Sequence, residues 1–98
     1  MIIFSTAARS DLEEIGDYIR TDNPDRAASF VAELIAACVG LGDMPRAFPL
    51  VPRYEALNVR RRNHGRYAIF YRINGQVVEI LHVLHGAQDY GRILFPDS

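Results

Sequence analysis

Every basic side chain in this protein is an arginine: there are eleven, and no lysine. A guanidinium keeps its proton at any ordinary pH, so these residues cannot act as tunable acids or bases, and their planar forks suit carboxylates or phosphates instead. Seven of them (Arg46, Arg53, Arg60, Arg61, Arg62, Arg66 and Arg72) fall between residues 44 and 72, where Glu55 is the one acid, whereas residues 1 to 43 hold three Arg against eight Asp and Glu. A net charge of −1 therefore conceals a polarised molecule. The basic region points to an acidic partner, or else to surface charge that aids solubility. Proton transfer would fall to histidine. His85 is expected diagonal to Arg66, with Arg60 or Arg62 on the adjoining strand and Tyr90 near the chain end, and together these could make a basic site around a titratable ring. The alternative is that His85 caps a strand end and the arginines form a solvated or partner-facing edge. His82 reads as a satisfied core histidine and His64 as an exposed turn residue. The single cysteine, Cys38, can form neither an internal disulfide nor a multi-cysteine zinc site, and it falls on a helical apolar stripe, so it belongs to the core.

These side chains depend on the stretch from Arg66 to Gly86, which reads as two strands joined by Asn74-Gly75. That pair between β-branched and aromatic runs is a strong hairpin signal, because a type I′ turn needs positive φ at both central residues. The implied register sets Ile73, Tyr71, Ile69 and Tyr67 opposite Gln76, Val78, Ile80 and His82 on one face. Arg66, Ala68, Phe70 and Arg72 then oppose Val83, Leu81, Glu79 and Val77 on the other. Both faces are largely apolar, so the hairpin either lies between layers or keeps one face for a partner.

Upstream, residues 1 to 5 form a short strand, and Ser5 or Thr6 can cap a helix whose stripe is Ala8, Leu12, Ile15 and Ile19. Asn23 caps a second helix with Pro24 at its first position, and Ala27, Val31, Leu34, Cys38 and Leu41 carry the stripe on until Gly40 and Gly42 end it. Prolines 45, 49 and 52 rule out regular structure from Asp43 to Glu55. A strand around Leu57 to Arg62 follows, then a turn at Asn63 to Gly65, then the hairpin. The tail after Gly86 could hold one more short turn or extended piece anchored by Leu94 and Phe95. The expectation is an α+β fold of order β-α-α-β-β-β: an N-terminal strand and an antiparallel helical hairpin on one face of a small, mainly antiparallel sheet. The first strand should join the edge of the last. A length of 98 residues, 49% of them hydrophobic, suits one domain over residues 1–98 and excludes a second. No apolar run approaches the roughly 20 residues of a membrane span, and the start lacks the basic lead of a signal peptide, so a cytoplasmic protein without membrane contact is expected.

The order of elements and three local patterns resemble the ParE/RelE superfamily of bacterial toxins from type II toxin-antitoxin systems. The first pattern is Ala8, Asp11, Leu12, Ile15, Tyr18 and Ile19 followed by Asn23, Pro24 and Ala27. The second is Val59-Arg60 ahead of Tyr67, Ile69, Tyr71, Arg72 and Ile73. The third is Ile80, Leu81, Val83, Leu84, His85 and Gly86. The likeness runs over roughly residues 2 to 90 and implies one of two activities. RelE-like members cut messenger RNA in the ribosome with basic side chains on the open sheet face and a tyrosine near the C-terminus, whereas ParE-like members bind and stall DNA gyrase. Ala68 and Gln88 stand where the ribonuclease branch usually has arginines, and a 2′-hydroxyl attack needs positive charge on the phosphate. The resemblance therefore implies a ParE-like gyrase inhibitor, associated with plasmid stabilization, that uses no cofactor or metal, does not bind DNA alone and is neutralised by a ParD-like antitoxin. Gln88 also departs from the His-Gly-x-Arg-Asp pattern of that branch. An acidic antitoxin segment would fold onto Arg60, Arg62, Arg66, Ala68, Phe70, Arg72, Leu81 and Val83. The enzymatic alternative is a RelE-like ribosome-dependent endoribonuclease using Arg66, His85 and Tyr90. A third possibility is a degenerate member that binds its antitoxin and harms nothing.

Overall fold

A computed structural model describes residues 1–97. Its first strand, β1 (Ile2–Phe4), passes into α1 (Thr6–Asp22) at Ser5, where one hydroxyl joins helix to sheet: Ser5 Oγ accepts from the Ala8 N–H (2.9 Å) and donates to the Leu81 carbonyl (2.8 Å). A single residue then separates the helices. The Asn23 N–H closes α1 on the Ile19 carbonyl (2.8 Å), while its side-chain oxygen accepts from Arg26 at the start of α2 (Pro24–Gly40) (3.1 Å). Pro24 sits in the first turn, where its missing N–H is harmless.

The remaining strands are β2 (Val59–His64), β3 (Tyr67–Asn74) and β4 (Val77–His85), in the sheet order β1-β4-β3-β2 with β1 parallel to β4 and the other pairs antiparallel. The first strand thus joins the edge of the last, as expected. Ala8, Leu12 and Ile15 of α1 and Leu34 and Cys38 of α2 bury their stripe against Ile69, Tyr71, Val78, Ile80 and Val83. Tyr71 is fully buried and its hydroxyl donates to the Pro45 carbonyl (2.6 Å), which fixes the loop after α2. Burial also pushes the Tyr71 phenol above its ordinary pKa, against the pull of Arg60 and Arg62.

The hairpin register differs from the expected one in two places. Asn74 pairs with Val77, so the turn is Gly75-Gln76, and of its two residues only Gly75 has positive φ (63°). Glycine first and an ordinary residue second is the type II′ arrangement, which serves the strand twist as well as the I′ turn expected at Asn74-Gly75. The second difference is a bulge: Tyr71 pairs with Ile80 but Phe70 pairs with His82, leaving Leu81 as the extra residue. An extra residue inverts the facing of everything after it. Val83 and His85, expected on the open face, lie on the helix side, where Val83 is buried and His85 stands edge-on to Tyr67 (5.4 Å). Asp11 of α1 holds the bulge, its Oδ2 accepting from the Val83 N–H (2.9 Å) and lying 2.8 Å from His82 Nδ1. His82 is therefore tied to a carboxylate instead of facing Tyr67.

β2 begins and ends later than expected: Glu55–Leu57 form a 3-10 turn, and the return to β3 is made at Gly65-Arg66, with Gly65 at φ 58°. His64 is in the strand, 3.6 Å from Glu33 and tilted against Phe30, so it is half-buried. The proline-rich loop is more ordered than its composition suggests. Leu50 bridges to Arg60, the Arg61 N–H donates to Pro49 (3.0 Å), and the Val51 N–H donates to Val59 (2.8 Å), which covers the start of the β2 edge. The tail forms α3 (Tyr90–Leu94), capped by Asp89.

Two outcomes test this packing. Asp11→Ala should destabilise the fold by about 2 kcal/mol by stranding the Val83 N–H, whereas Asp11→Asn, whose amide oxygen can still accept, should lose less; equal losses in chemical denaturation would remove Asp11 from the bulge. The Cys38 thiol is fully buried and pushed up to about 12 by that burial, despite Arg62 nearby. At pH 8 it should therefore resist thiol reagents until denaturant opens the chain, and rapid labelling of the native protein would contradict the core described here.

Candidate partner-binding surface

The face of the sheet turned away from α1 and α2 carries Val59 and Arg61 of β2, Ala68, Phe70 and Arg72 of β3, and Leu81 and Leu84 of β4, in keeping with alternation along each strand and the bulge at Leu81. It is not open throughout. Ala68 and Phe70 are each 1% exposed, roofed by Val51 and Tyr54 from the loop and by Tyr90, Leu94 and Phe95 from the C-terminal segment. Phe95 stacks on Tyr54 (4.0 Å between centroids, 17° between planes), and Tyr90 packs on Phe70 (5.3 Å). Only five residues long, α3 cannot hold itself together, so these aromatic contacts and the Asp89 cap keep it in place. The expected apolar anchors Ala68 and Phe70 are thus the floor beneath this clasp, because Leu94 and Phe95 supply a third layer over them.

Beside the clasp the face remains accessible. A groove of about 410 Å³ is walled by Leu57, Val59, Leu81, Ile93, Leu94 and Phe95, with Arg72 and His82 also lining it. Leu57 and Ile93 are 46% and 38% exposed, large apolar side chains left facing water at its rim. Of the residues expected on this surface, Leu81 and Arg72 are here, and Arg72 is exposed while pairing across the strands with Glu79 (2.7 Å). Arg66 is exposed too, but in the β2–β3 turn instead of the strand.

The other two arginines expected on this surface, Arg60 and Arg62, are committed inside the molecule. Arg60 and Arg62 alternate with Arg61 and so project to the helix side, opposite Tyr71 and Ile69. Arg60 donates to the Phe48 carbonyl (2.7 Å), and Arg62 donates to the Ala37 carbonyl (2.8 Å) in the last turn of α2 while its guanidinium covers the Phe48 ring (4.9 Å). A cation at a helix C-terminus is favoured by the helix dipole, so Arg60 and Arg62 fasten α2 and its following loop to β2. This corrects their expected placement on the open face. Arg61 was not singled out by the sequence reading, yet it is the arginine on the far face, 5.4 Å from the centroids of both Phe70 and Tyr90 and bonded to Asn63 Oδ1 (2.8 Å). The period-two alternation from Val59 was the signal that could have found it.

Arg66, His85 and Tyr90 are not brought together. Tyr90 lies on the far face against Phe70, whereas His85 lies on the helix side against Tyr67 with Nδ1 accepting from the Ala87 N–H (3.2 Å). Gln88, where an arginine was expected by resemblance, uses its side-chain oxygen to accept from the His85 N–H (2.8 Å) and so closes the strand end. This surface offers apolar walls with guanidiniums at Arg61, Arg66 and Arg72, and the one histidine lining its groove, His82, is tied to Asp11. Among the described residues no group of His, Cys, Asp and Glu could hold a metal ion, and no helix is long and apolar enough to cross a membrane.

Known proteins share this arrangement. The sequence matches the family described as ParE toxin of type II toxin-antitoxin system, parDE, over residues 2–90. It is 37% identical over 83 residues to the inferred toxin Y4kP of Sinorhizobium fredii, an alignment covering 85% of this chain and 84% of that one. In three dimensions it is similar to a chain of the chromosomal ParDE system from P. aeruginosa, with a TM-score of 0.73 at 20% identity, covering 86% of this chain and 92% of that chain. It is also similar to a chain of the RelBE2 toxin-antitoxin complex of Mycobacterium tuberculosis, with a TM-score of 0.65 at 27% identity, covering 87% and 95%. The strand, helical hairpin and three-strand meander that carry its surface are those of this group, and the chain belongs to the ParE toxin family of type II toxin-antitoxin systems.

Proposed function

We propose that this toxin acts by binding DNA gyrase and is held inactive by a ParD-like antitoxin. The observation that carries the reading is the separation of His85 from Tyr90 on opposite faces of the sheet. Cleavage by a 2′-hydroxyl needs an acid, a base and phosphate-binding charge converging within hydrogen-bond reach. Here the imidazole holds its own turn, and Ala68 and Gln88 supply no guanidinium. A surface that cannot assemble those groups is suited to occupying a partner instead. The similarity to chains from the ParDE and RelBE2 systems supports a polypeptide antitoxin. In this reading the antitoxin lays an amphipathic segment in the groove beside α3, with acidic side chains reaching Arg66 and Arg72 and apolar ones meeting Leu57, Leu81 and Ile93.

Expression of the chain without its antitoxin should give filamentous cells with a DNA-damage response, and the purified protein should block supercoiling by gyrase. His85→Ala and Tyr90→Phe should remain toxic. Intact DNA with messages cut in the ribosomal A site, and toxicity lost in both variants, would instead identify an endoribonuclease, whereas normal growth would identify a chain that has lost its action. On the antitoxin side, Arg66→Ala and Arg72→Ala should each weaken binding roughly fivefold and flatten its salt dependence, with the melting temperature unchanged. Arg62→Ala should lower the melting temperature first. Affinity unmoved by both surface variants would take the antitoxin off this face.

A further inference from the structure

The helix side of the molecule has a cleft of its own, at the end of the sheet away from the hairpin turn. It measures about 350 Å³ and is lined by Asp11, Glu14, Tyr18, Tyr67, His85 and Gln88 over a floor that includes Ile15 and Val83. Its chemistry is opposite to that of the arginine face. Two carboxylates enter it from one face of α1, three residues apart, and two phenol rings stand beside them. Tyr18 is 69% exposed, a large ring on the solvent side of α1. Its neighbour Tyr67 is partly buried, and burial together with Tyr18 raises the Tyr67 phenol above its ordinary range.

Among the described residues no arginine pairs with either carboxylate, and the one ion-pair contact of Asp11 is with the His82 ring. On the two helices Asp17 pairs with Arg20 and Glu33 with Arg26, whereas Glu14, like the solvent-facing Glu13, Asp22 and Asp25, has no ion-pair partner among the described residues and alone of these four lines the cleft. Asp11 uses Oδ2 for both the Val83 N–H and His82, and Oδ1 makes no hydrogen bond among the described residues. His85 Nδ1 is occupied by the Ala87 N–H (3.2 Å). Glu14 and Asp11 therefore leave acceptor sites beside aromatic faces, the combination that a planar cation satisfies by forking to a carboxylate while stacking on a ring. The match is stronger for a guanidinium than for an ammonium, whose hydrated point charge gains less from a phenol face.

We infer that this cleft is a receptor for an arginine side chain presented by a partner polypeptide, seated between Tyr18 and Tyr67 with its fork on Glu14. The inference rests on the reading that a polypeptide antitoxin covers the toxin, and it assigns that partner a basic anchor on the helix side in addition to acidic contacts on the far face. A partner gripping both sides would read opposite charges at two separated points, which discriminates against a polypeptide carrying only one of them.

The test uses the isolated chain with two small probes, N-acetyl-arginine amide and its uncharged isostere N-acetyl-citrulline amide, followed by NMR. The arginine probe should give saturable shifts at Tyr18, Tyr67 and Gln88. Glu14→Gln should weaken it about tenfold through loss of a charge-assisted bond, Tyr18→Ala should abolish it, and citrulline should bind at least as weakly as arginine does to Glu14→Gln. Glu14 and Tyr18 are exposed, so the remaining resonances should stay in place in both variants. Equal shifts from both probes, shifts mapping elsewhere, or none would overturn the inference. Because no antitoxin enters the experiment, each of those results leaves the antitoxin reading to its own affinity measurements.

Discussion

Asp11 is the carboxylate on which the layering depends. The extra residue at Leu81 leaves the Val83 N–H without a strand partner, because β1 pairs with β4 only as far as Ile80. One oxygen of Asp11 meets that N–H and the His82 ring together. The same contact sets the first turns of α1 over the end of β4, so a local irregularity in the sheet becomes the joint between the two layers. Without an acceptor there, the buried amide would favour a regular ladder. A regular ladder would exchange the faces of Val83 and Leu84, moving each out of the buried layer it fills.

Charge in this molecule is divided by use as well as by position. Arg60 and Arg62 look in sequence like part of a basic patch, but they end on main-chain carbonyls of α2 and its following loop. Arg61, between them, crosses to the other face and covers two aromatic rings. Alternation alone thus separates three consecutive identical residues into two structural fasteners and one surface cation. The helices show a different pattern: Asp17 and Glu33 pair with arginines along the helix surface, Asp11 reaches into the sheet, and Glu14 lines the cleft.

What the sequence disclosed was governed by local rules. Ser5 and Asn23 announced the helix starts, the stripes on α1 and α2 gave the buried positions, and Tyr71, Ile69 and Ile80 were legible as core from alternation. The turn was misplaced by one residue because Asn-Gly and Gly-Gln both supply a glycine at positive φ, and only the strand pairing distinguishes them. The bulge was invisible because its cause, Asp11, lies 72 residues from the amide it satisfies. The candidate site inherited that error: His85 and Val83 changed faces with it. The roof over Phe70 was missed for a related reason, since a five-residue helix has no periodicity to read and exists only because Tyr54 and Phe70 are there to receive it.

The parallel pairing of β1 with β4 has a consequence for synthesis. Met1 receives the Val78 N–H at its carbonyl, and Ser5 bonds across to Ile80 and Leu81, contacts that span about three quarters of the chain. Helices α1 and α2 can form as they emerge, but the sheet they cover requires β4, and β1 has no strand to join until β4 is made. Such distant closure is slow and comes late. A ribosome translating this toxin therefore carries an unfinished sheet until β4 emerges, and the folded surface first exists only once that strand has paired with β1 and β3.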